Sequence, residues 1–244
     1  MDFLSRHVSN YTRILLVLGN HEFYGLSHAS GLEAAHRLER EPCMRGKLHV
    51  LTRENGRVEI PVSEDGGERG ITVLGCTLWS QIPQEQSAVV QGKVKDFAKI
   101  VDWSLEMHNA EHAADLQWLT GEIEHFDGAN VLGEKLLVVT HHAPAMEECS
   151  HPKHAANPWN TAFGTKLLGD AAIDPFEKVS CWVFGHTHYT TEFRMGGVRV
   201  VSNQRGYVIP DQGEKGALSS VVGMFKRREK PGEHEFDVCK VIHV

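Results

Sequence analysis

Short apolar runs bounded by glycine, proline or polar residues recur along the chain. Each run has five or six residues and is rich in valine, isoleucine and leucine, a pattern that predicts strands buried on both faces. The runs are ILLVL (14–18), KLHVL (47–51), ITVLG (71–75), KLLVVT (135–140), CWVFG (181–185), VRVVS (198–202) and SVVGMF (220–225).

Helices are predicted between these strands. In EHAADLQWLTGEIEHF the apolar positions fall three and four residues apart and line one helical face, with Leu116, Leu119, Ile123 and Phe126. Residues 28–40 and 93–107 are also predicted to be helical. Asn55-Gly56 in RENGRVEI and Gly196-Gly197 predict β-hairpins. Strands alternate with helices early and dominate late, which favours an α/β (α+β) β-sandwich flanked by helices over a doubly wound fold.

Composition sets limits on domain count and partners. A chain of 244 residues can bury one full core, and we expect a single domain over residues 1–244. Its net charge of -7 argues against nucleic-acid or anionic-membrane binding. No apolar run reaches the roughly 20 residues that span a bilayer, and MDFLSRHVSNYTR lacks the apolar block of a secretion signal. The cytoplasm is the expected compartment, with the five scattered cysteines as reduced core thiols.

Polar clusters follow three of the predicted strands. The clusters are Gly19-Asn20-His21-Glu22, Thr140-His141-His142-Ala143-Pro144 and Gly185-His186-Thr187-His188. Ligands bind at the carboxyl ends of strands in open sheets, so the three clusters predict one shared site. Imidazole, amide and carboxylate groups all bind divalent ions such as zinc, manganese or iron. The alternative for any single histidine is an ordinary hydrogen-bonded polar residue at a strand end.

The spacing of His186 and His188 adds to this hypothesis. On an extended segment these two side chains, at i and i+2, are expected to serve two different ions on either side of the backbone. Paired ions about 3.5 to 4 Å apart are a common device for attack at phosphorus.

Other histidines and tryptophans have simpler interpretations. His108 and His112 are expected on a helix surface, and His151 and His154 in solvent within the long loop 145–170. The tryptophans are expected mainly in the core, with substrate contact as the alternative for Trp79 and Trp159.

The ordered clusters resemble the later motifs of the calcineurin-like metallophosphoesterases. GNHE matches that family's G-N-H-[DE], His141 its strand-end histidine, and GHTH its G-H-x-H. The resemblance covers residues 13 to 202 and implies a metallophosphoesterase-like β-sandwich flanked by helices. It also implies hydrolysis of phosphate mono- or diesters by metal-bound hydroxide, with Mn, Fe or Zn as cofactor.

The resemblance also implies a role for each matching residue. Asn20, His141 and His186 would bind one metal and His188 the other, while His21 would protonate the leaving oxygen. Two further residues are assigned to supporting or substrate-contacting positions, namely Glu22 and His142.

Two motifs of the family, D-x-H and G-D-x-x-D, are absent ahead of Gly19. They would supply the carboxylate that bridges two ions, so one ion or none is expected here. They also occupy the first strands of the family's sandwich, whose loss would expose a sheet edge through which the chain could self-associate. An N-terminally incomplete domain is therefore expected, through a truncated gene model or fragment, a degenerate protein, or a partner chain that supplies the strands.

The leading hypothesis is a phosphoesterase acting on a phosphoester substrate, inactive as given if the dinuclear site cannot form. One alternative is a non-catalytic metal-binding or scaffold remnant of the same fold. Another is a single-metal hydrolase that acts on a different ester.

Overall fold

The strands form two sheets in a computed structural model that describes residues 2–64, 67–127, 134–169, 175–206 and 234–244. In chain order the strands are β1 (Ile14–Val17), β2 (Leu48–Leu51), β3 (Arg57–Glu64), β4 (Gly67–Cys76), β5 (Lys135–Thr140), β6 (Val179–Val183), β7 (Thr191–Met195) and β8 (Val198–Ser202). Six of the seven predicted strands are confirmed. The seventh, at 220–225, lies outside the described residues.

Helices flank the sheets, as the alternating pattern predicts. They are α1 (Asp2–His7), α2 (His28–Glu39), α3 (Ser87–Lys93), α4 (Asp96–Lys99) and α5 (Leu105–Glu124). The helix predicted over 28–40 is confirmed, and α5 extends the one predicted from EHAADLQWLTGEIEHF. The helix predicted over 93–107 is wrong, because the chain there ends α3, forms the single turn of α4, and starts α5 only after Ser104. The Ser104 hydroxyl accepts from Met107 N–H and caps α5.

The larger sheet is mixed and has the order β3-β4-β5-β6-β8-β7. Its four inner strands are parallel, while β3 and β7 pair antiparallel at the two edges. The smaller sheet consists of β1 and β2 in parallel. This is the expected mixed α/β architecture, and it places the carboxyl ends of β4, β5 and β6 side by side.

Two predicted hairpins have different outcomes. Gly196-Gly197 joins β7 to β8, and the hairpin is confirmed. Asn55-Gly56 does form a turn, with Asn55 N–H donating to Thr52 O at 2.9 Å, but the hairpin is wrong because β2 and β3 belong to different sheets. Gly56 instead lies against the sheet, where a β-carbon would come within 2.4 Å of Gly75 O.

Packing of α5 onto the larger sheet forms the main core. Leu119 and Ile123 are fully buried against side chains of β4, β5 and β6. Burial of each such side chain contributes about 1.5–3 kcal/mol relative to exposure. A second cluster joins β1, β2 and α2 through Phe23, Trp79 and Trp103.

The thiols of Cys76, Cys149 and Cys181 are buried, but the expectation of core cysteines is wrong for Cys43 and Cys239, which are exposed. No helix in the described ranges has the length and apolar character needed to cross a bilayer.

Candidate active site at the strand ends

Main-chain contacts join the ends of four strands. His142 N–H donates to Thr77 O at 3.2 Å and thereby links the ends of β5 and β4. Gly185 N–H donates to His141 O at 3.0 Å, which links β6 to β5. The Thr77 hydroxyl donates to Leu18 O at 2.9 Å and brings in β1 from the smaller sheet. The polar clusters that follow β1, β5 and β6 are held beside one another by these contacts.

Three donors from these clusters meet around one point. His141 Nε2 lies 3.0 Å from Asn20 Oδ1 and 2.9 Å from His186 Nδ1. The rings of His141 and His186 have centroids 4.7 Å apart. Gly19 permits this approach, because a β-carbon there would lie 2.3 Å from His141 Cε1. A glycine is therefore required at this position, two residues after the end of β1.

The three donors fit a divalent cation. No tautomer makes both contacts ordinary hydrogen bonds. If His141 Nε2 carries a hydrogen, one N–H faces two partners, and if it does not, its lone pair faces the Asn20 oxygen, whereas a cation accepts lone pairs from all three. Adjacent donors on an octahedral ion with bonds of about 2.1 Å lie about 3.0 Å apart, which matches the observed separations. Within the described residues, no group of three or more His, Cys, Asp or Glu side chains could hold a metal ion, and this site reaches three donors only by including the amide of Asn20. The donor set is thus two imidazoles and one amide.

The imidazoles are neutral at physiological pH. Burial, followed by the charges of the nearby His21 and His188 rings, lowers the pKa of His141 to about 3. Burial also lowers the pKa of His186, with His141 and His188 adding to the shift. Neutral imidazole is the form that binds metals, so the protein environment already favours that form.

His188 and His21 lie on the open side of this group. His188 is exposed, and burial followed by the His21 charge lowers its pKa. His21 is exposed and packs on Tyr24 with ring centroids 4.6 Å apart. The extended geometry expected for Gly-His-Thr-His is wrong, because His186 and His188 have φ of 67° and 54° in the left-handed region.

Glu22 and His142 support the cluster from two sides. Glu22 Oε2 accepts from Gly19 N–H at 2.8 Å and closes the turn that carries Asn20 and His21. His142 is fully buried, and its ring packs on His186 at 4.3 Å and on Trp79 at 5.4 Å.

Asp96 is a site residue that sequence reasoning missed. It is 1% exposed, and its Oδ1 accepts from Asn20 Nδ2 and from Tyr24 Oη, each at 2.7 Å. Because Asp96 holds the Asn20 amino group, the Asn20 oxygen faces His141. Asp96 lies 76 positions from Asn20 and belongs to no motif, so no signal in the sequence pointed to it.

The turn after β4 is held by polar residues on α5. Leu78 and Trp79 have φ of 66° and 43°, an unfavourable backbone for L-residues. His112 Nδ1 donates to Leu78 O at 2.8 Å, and Asp115 Oδ2 accepts from Leu78 N–H at 2.9 Å. His108 Nε2 lies 3.2 Å from the Ser80 hydroxyl.

The expected surface positions of His108 and His112 are therefore wrong, because both rings are buried against that turn. Trp79 is 1% exposed, so the prediction that it belongs to the core is confirmed. Trp159 is partly buried, His154 is exposed as expected, and His151 is only partly exposed.

Comparisons with known proteins support the fold. No protein-family model matches the chain. An uncharacterised protein of Acanthamoeba polyphaga mimivirus is 24% identical over 208 residues, which cover 81% of this chain and 69% of that protein. The crystal structure of a phosphopantetheinyl hydrolase from Mycobacterium tuberculosis superposes with a TM-score of 0.63 at 15% identity, over 97% of this chain and 79% of that one. The chain therefore has a metallophosphoesterase-like α/β fold, with a mixed sheet flanked by helices.

Proposed function

We propose that this protein is a metal-dependent phosphoester hydrolase of the calcineurin-like type. The observation that carries the proposal is the position of His141 Nε2 at the strand ends, where it lies 3.0 Å from Asn20 Oδ1 and 2.9 Å from His186 Nδ1. One solved structure with the same fold is that of a phosphopantetheinyl hydrolase, and this likeness supports phosphoester hydrolysis as the activity.

Asn20, His141 and His186 would hold one divalent ion, and His188 would bind a second. A nitrogen-rich donor set of this kind suits manganese, iron or zinc better than magnesium or calcium. When bound, such an ion polarises the phosphoryl oxygens and activates water for attack at phosphorus.

His21 is assigned the transfer of a proton to the leaving oxygen. Its ring is exposed, and its charge lowers the pKa of His141 and of His188, which supports a role for His21 near these two residues. Imidazole can carry a proton near neutral pH, and general-acid help contributes typically ~10²–10⁴-fold to the rate. Contact with the Tyr24 ring holds the His21 imidazole in place.

Hydrolysis of p-nitrophenyl phosphate and of bis(p-nitrophenyl) phosphate tests the proposal directly. Protein freed of metal with EDTA and then reconstituted with Mn²⁺ is expected to hydrolyse at least one of the two esters, and the EDTA-treated protein neither. His21→Ala is expected to lower kcat by ~10²–10⁴-fold without weakening Mn²⁺ binding, because its ring protonates the leaving group and binds no ion. Activity that survives EDTA, or an unchanged kcat in His21→Ala, would contradict this assignment.

The contact between Asp96 and Asn20 leads to a second prediction, which concerns the affinity for Mn²⁺. Asp96→Ala frees the Asn20 amide to rotate, and loss of a group that orients a metal ligand typically costs ~10–100-fold in affinity. Isothermal titration with Mn²⁺ measures this change.

Tyr24→Phe is the matched control for Asp96→Ala, because it removes the other hydrogen bond to the same carboxylate oxygen and leaves the bond to Asn20 intact. Equal losses in the two variants would show that the carboxylate does not act through Asn20.

A second candidate is a metal-binding protein without catalysis. It is favoured by the donor set itself, which contains no carboxylate to balance the charge of two ions. Binding of one Mn²⁺ per chain with no turnover of either ester would select it over the hydrolase.

A further inference from the structure

The loop that carries His186 and His188 has an unfavourable backbone. It joins β6 to β7, and both histidines adopt left-handed φ values, 67° and 54°. A non-glycine residue in that region costs of order 1–3 kcal/mol and persists only where surrounding contacts enforce it. Contacts that enforce this loop therefore determine where the two imidazoles point.

One side chain, Gln204, binds main-chain atoms along this loop. Its Oε1 accepts from His188 N–H at 2.6 Å, and its Nε2 donates to Gly185 O at 3.0 Å. The same amino group lies 3.0 Å from the Thr187 hydroxyl and 3.3 Å from Tyr189 O. A carboxamide has two N–H donors and one carbonyl acceptor, so these contacts use all of its donors. They flank each histidine on both sides along the chain.

Gln204 is itself anchored to the larger sheet. It follows β8 by two residues, and its N–H donates to the Thr190 hydroxyl at 2.9 Å. The Ser202 hydroxyl, on the last residue of β8, donates to Tyr189 O. The Gln204 carboxamide therefore ties the loop to the end of β8.

We propose that Gln204 is the positioning residue for His186 and His188, holding the loop in the conformation in which His186 contacts His141. The metal-binding consequence rests on the proposed function, whereas the restraint on the loop belongs to the metal-free chain. These hydrogen bonds of Gln204 go to main-chain atoms of the loop and to the Thr187 hydroxyl, so they act on a metal through the two histidines.

Gln204→Met tests the proposal, because methionine nearly matches glutamine in volume and forms none of these hydrogen bonds. Asn203→Ala is the control, because the Asn203 side chain binds the C-terminal segment and not the loop. Its Nδ2 donates to Asp237 O at 2.7 Å, and its Oδ1 accepts from Asp237 N–H at 2.9 Å. Hydrogen exchange at the His188 amide, measured by NMR in metal-free protein, reports the restraint. Mn²⁺ titration reports its consequence for the histidines.

In Gln204→Met the His188 amide is expected to exchange at least ~10-fold faster than in the wild type. Mn²⁺ affinity is expected to fall by ~10–100-fold, while Asn203→Ala matches the wild type in both measurements. Gln204→Glu replaces the methionine variant as the test if that variant does not fold. It keeps the acceptor for His188 N–H but loses the donors to Gly185 O and Tyr189 O, so a smaller rise in His188 exchange is expected, and wild-type exchange would overturn the proposal.

Unchanged exchange in Gln204→Met would overturn the proposal, and so would faster exchange with unchanged Mn²⁺ affinity. If the exchange rises but the wild-type chain binds no Mn²⁺, the proposed function fails while the restraint on the loop stands.

Discussion

His141→Ala is expected to abolish both metal binding and phosphoester hydrolysis. Its Nε2 is the one atom that contacts both other donors, at 3.0 Å from Asn20 and 2.9 Å from His186. Alanine leaves two neutral donors facing a gap, which is too few to hold a divalent ion. Loss of an ion that stabilises transition-state charge by several kcal/mol corresponds to a fall of roughly 10³-fold or more in kcat/KM.

Metal content by mass spectrometry and ester hydrolysis measure the two losses separately. His125→Ala is the matched control, because this histidine is exposed at the end of α5 and hydrogen-bonds Gly121 O of its own helix. It should keep the metal content and the activity of the wild type. If His141→Ala kept both as well, the metal centre would have to lie elsewhere in the chain.

The metal-free chain is expected to unfold on mild acidification. Burial lowers the pKa of His108 and of His141 to about 3, and burial also lowers the pKa of His112, His142 and His186. An unfolded histidine has a pKa near 6.5, so below that pH the unfolded state binds protons that the folded state does not. The unfolding free energy therefore decreases as pH falls from about 6.5 towards 3, at up to ~1.36 kcal/mol per pH unit for each group.

At pH 5, His108 and His141 together remove about 4 kcal/mol, and the three other rings act in the same direction. A domain of ordinary stability has only about 5–15 kcal/mol to lose. Guanidinium unfolding from pH 8 to pH 5 measures the decline.

His108→Gln isolates one group, because glutamine does not titrate. It should reduce the loss of unfolding free energy between pH 7 and pH 5 by about 2 kcal/mol. Asn109→Ala is the control on the same helix; it removes the hydrogen bonds to Ile82 N and O, so it should destabilise the chain equally at each pH. An unchanged pH slope in His108→Gln would show that its ring is protonated in the folded chain.

The buried histidines also show where the sequence is uninformative. His108 and His112 precede a helical stripe of apolar residues, and polar residues in that context are usually exposed. They are buried because the turn at Leu78 and Trp79 has main-chain and hydroxyl groups that need partners, and α5 supplies those partners. This requirement arises from the backbone of a distant segment, which no local pattern records.

The same distinction separates the motif residues from the residues that position them. The strand ends of β1, β5 and β6 could be predicted because each apolar run stops at a polar cluster, and the parallel inner strands place two of those ends at one edge. Asp96 and Gln204 are single residues far from their partners in sequence, so the contacts of Asp96 with Asn20 and of Gln204 with His188 become visible only in three dimensions. Asn55-Gly56 shows the converse, because local turn chemistry predicted the turn while the tertiary fold determined which strands pair.

The donors come from both sheets. Asn20 follows β1 of the two-stranded sheet, whereas His141 and His186 follow β5 and β6 of the six-stranded sheet. An ion shared by the three would act as a cross-link between the layers, and at 100 times its dissociation constant it would stabilise the folded chain by about 2.7 kcal/mol. A pair of strands is marginal alone, so β1 and β2 would gain the most from that cross-link.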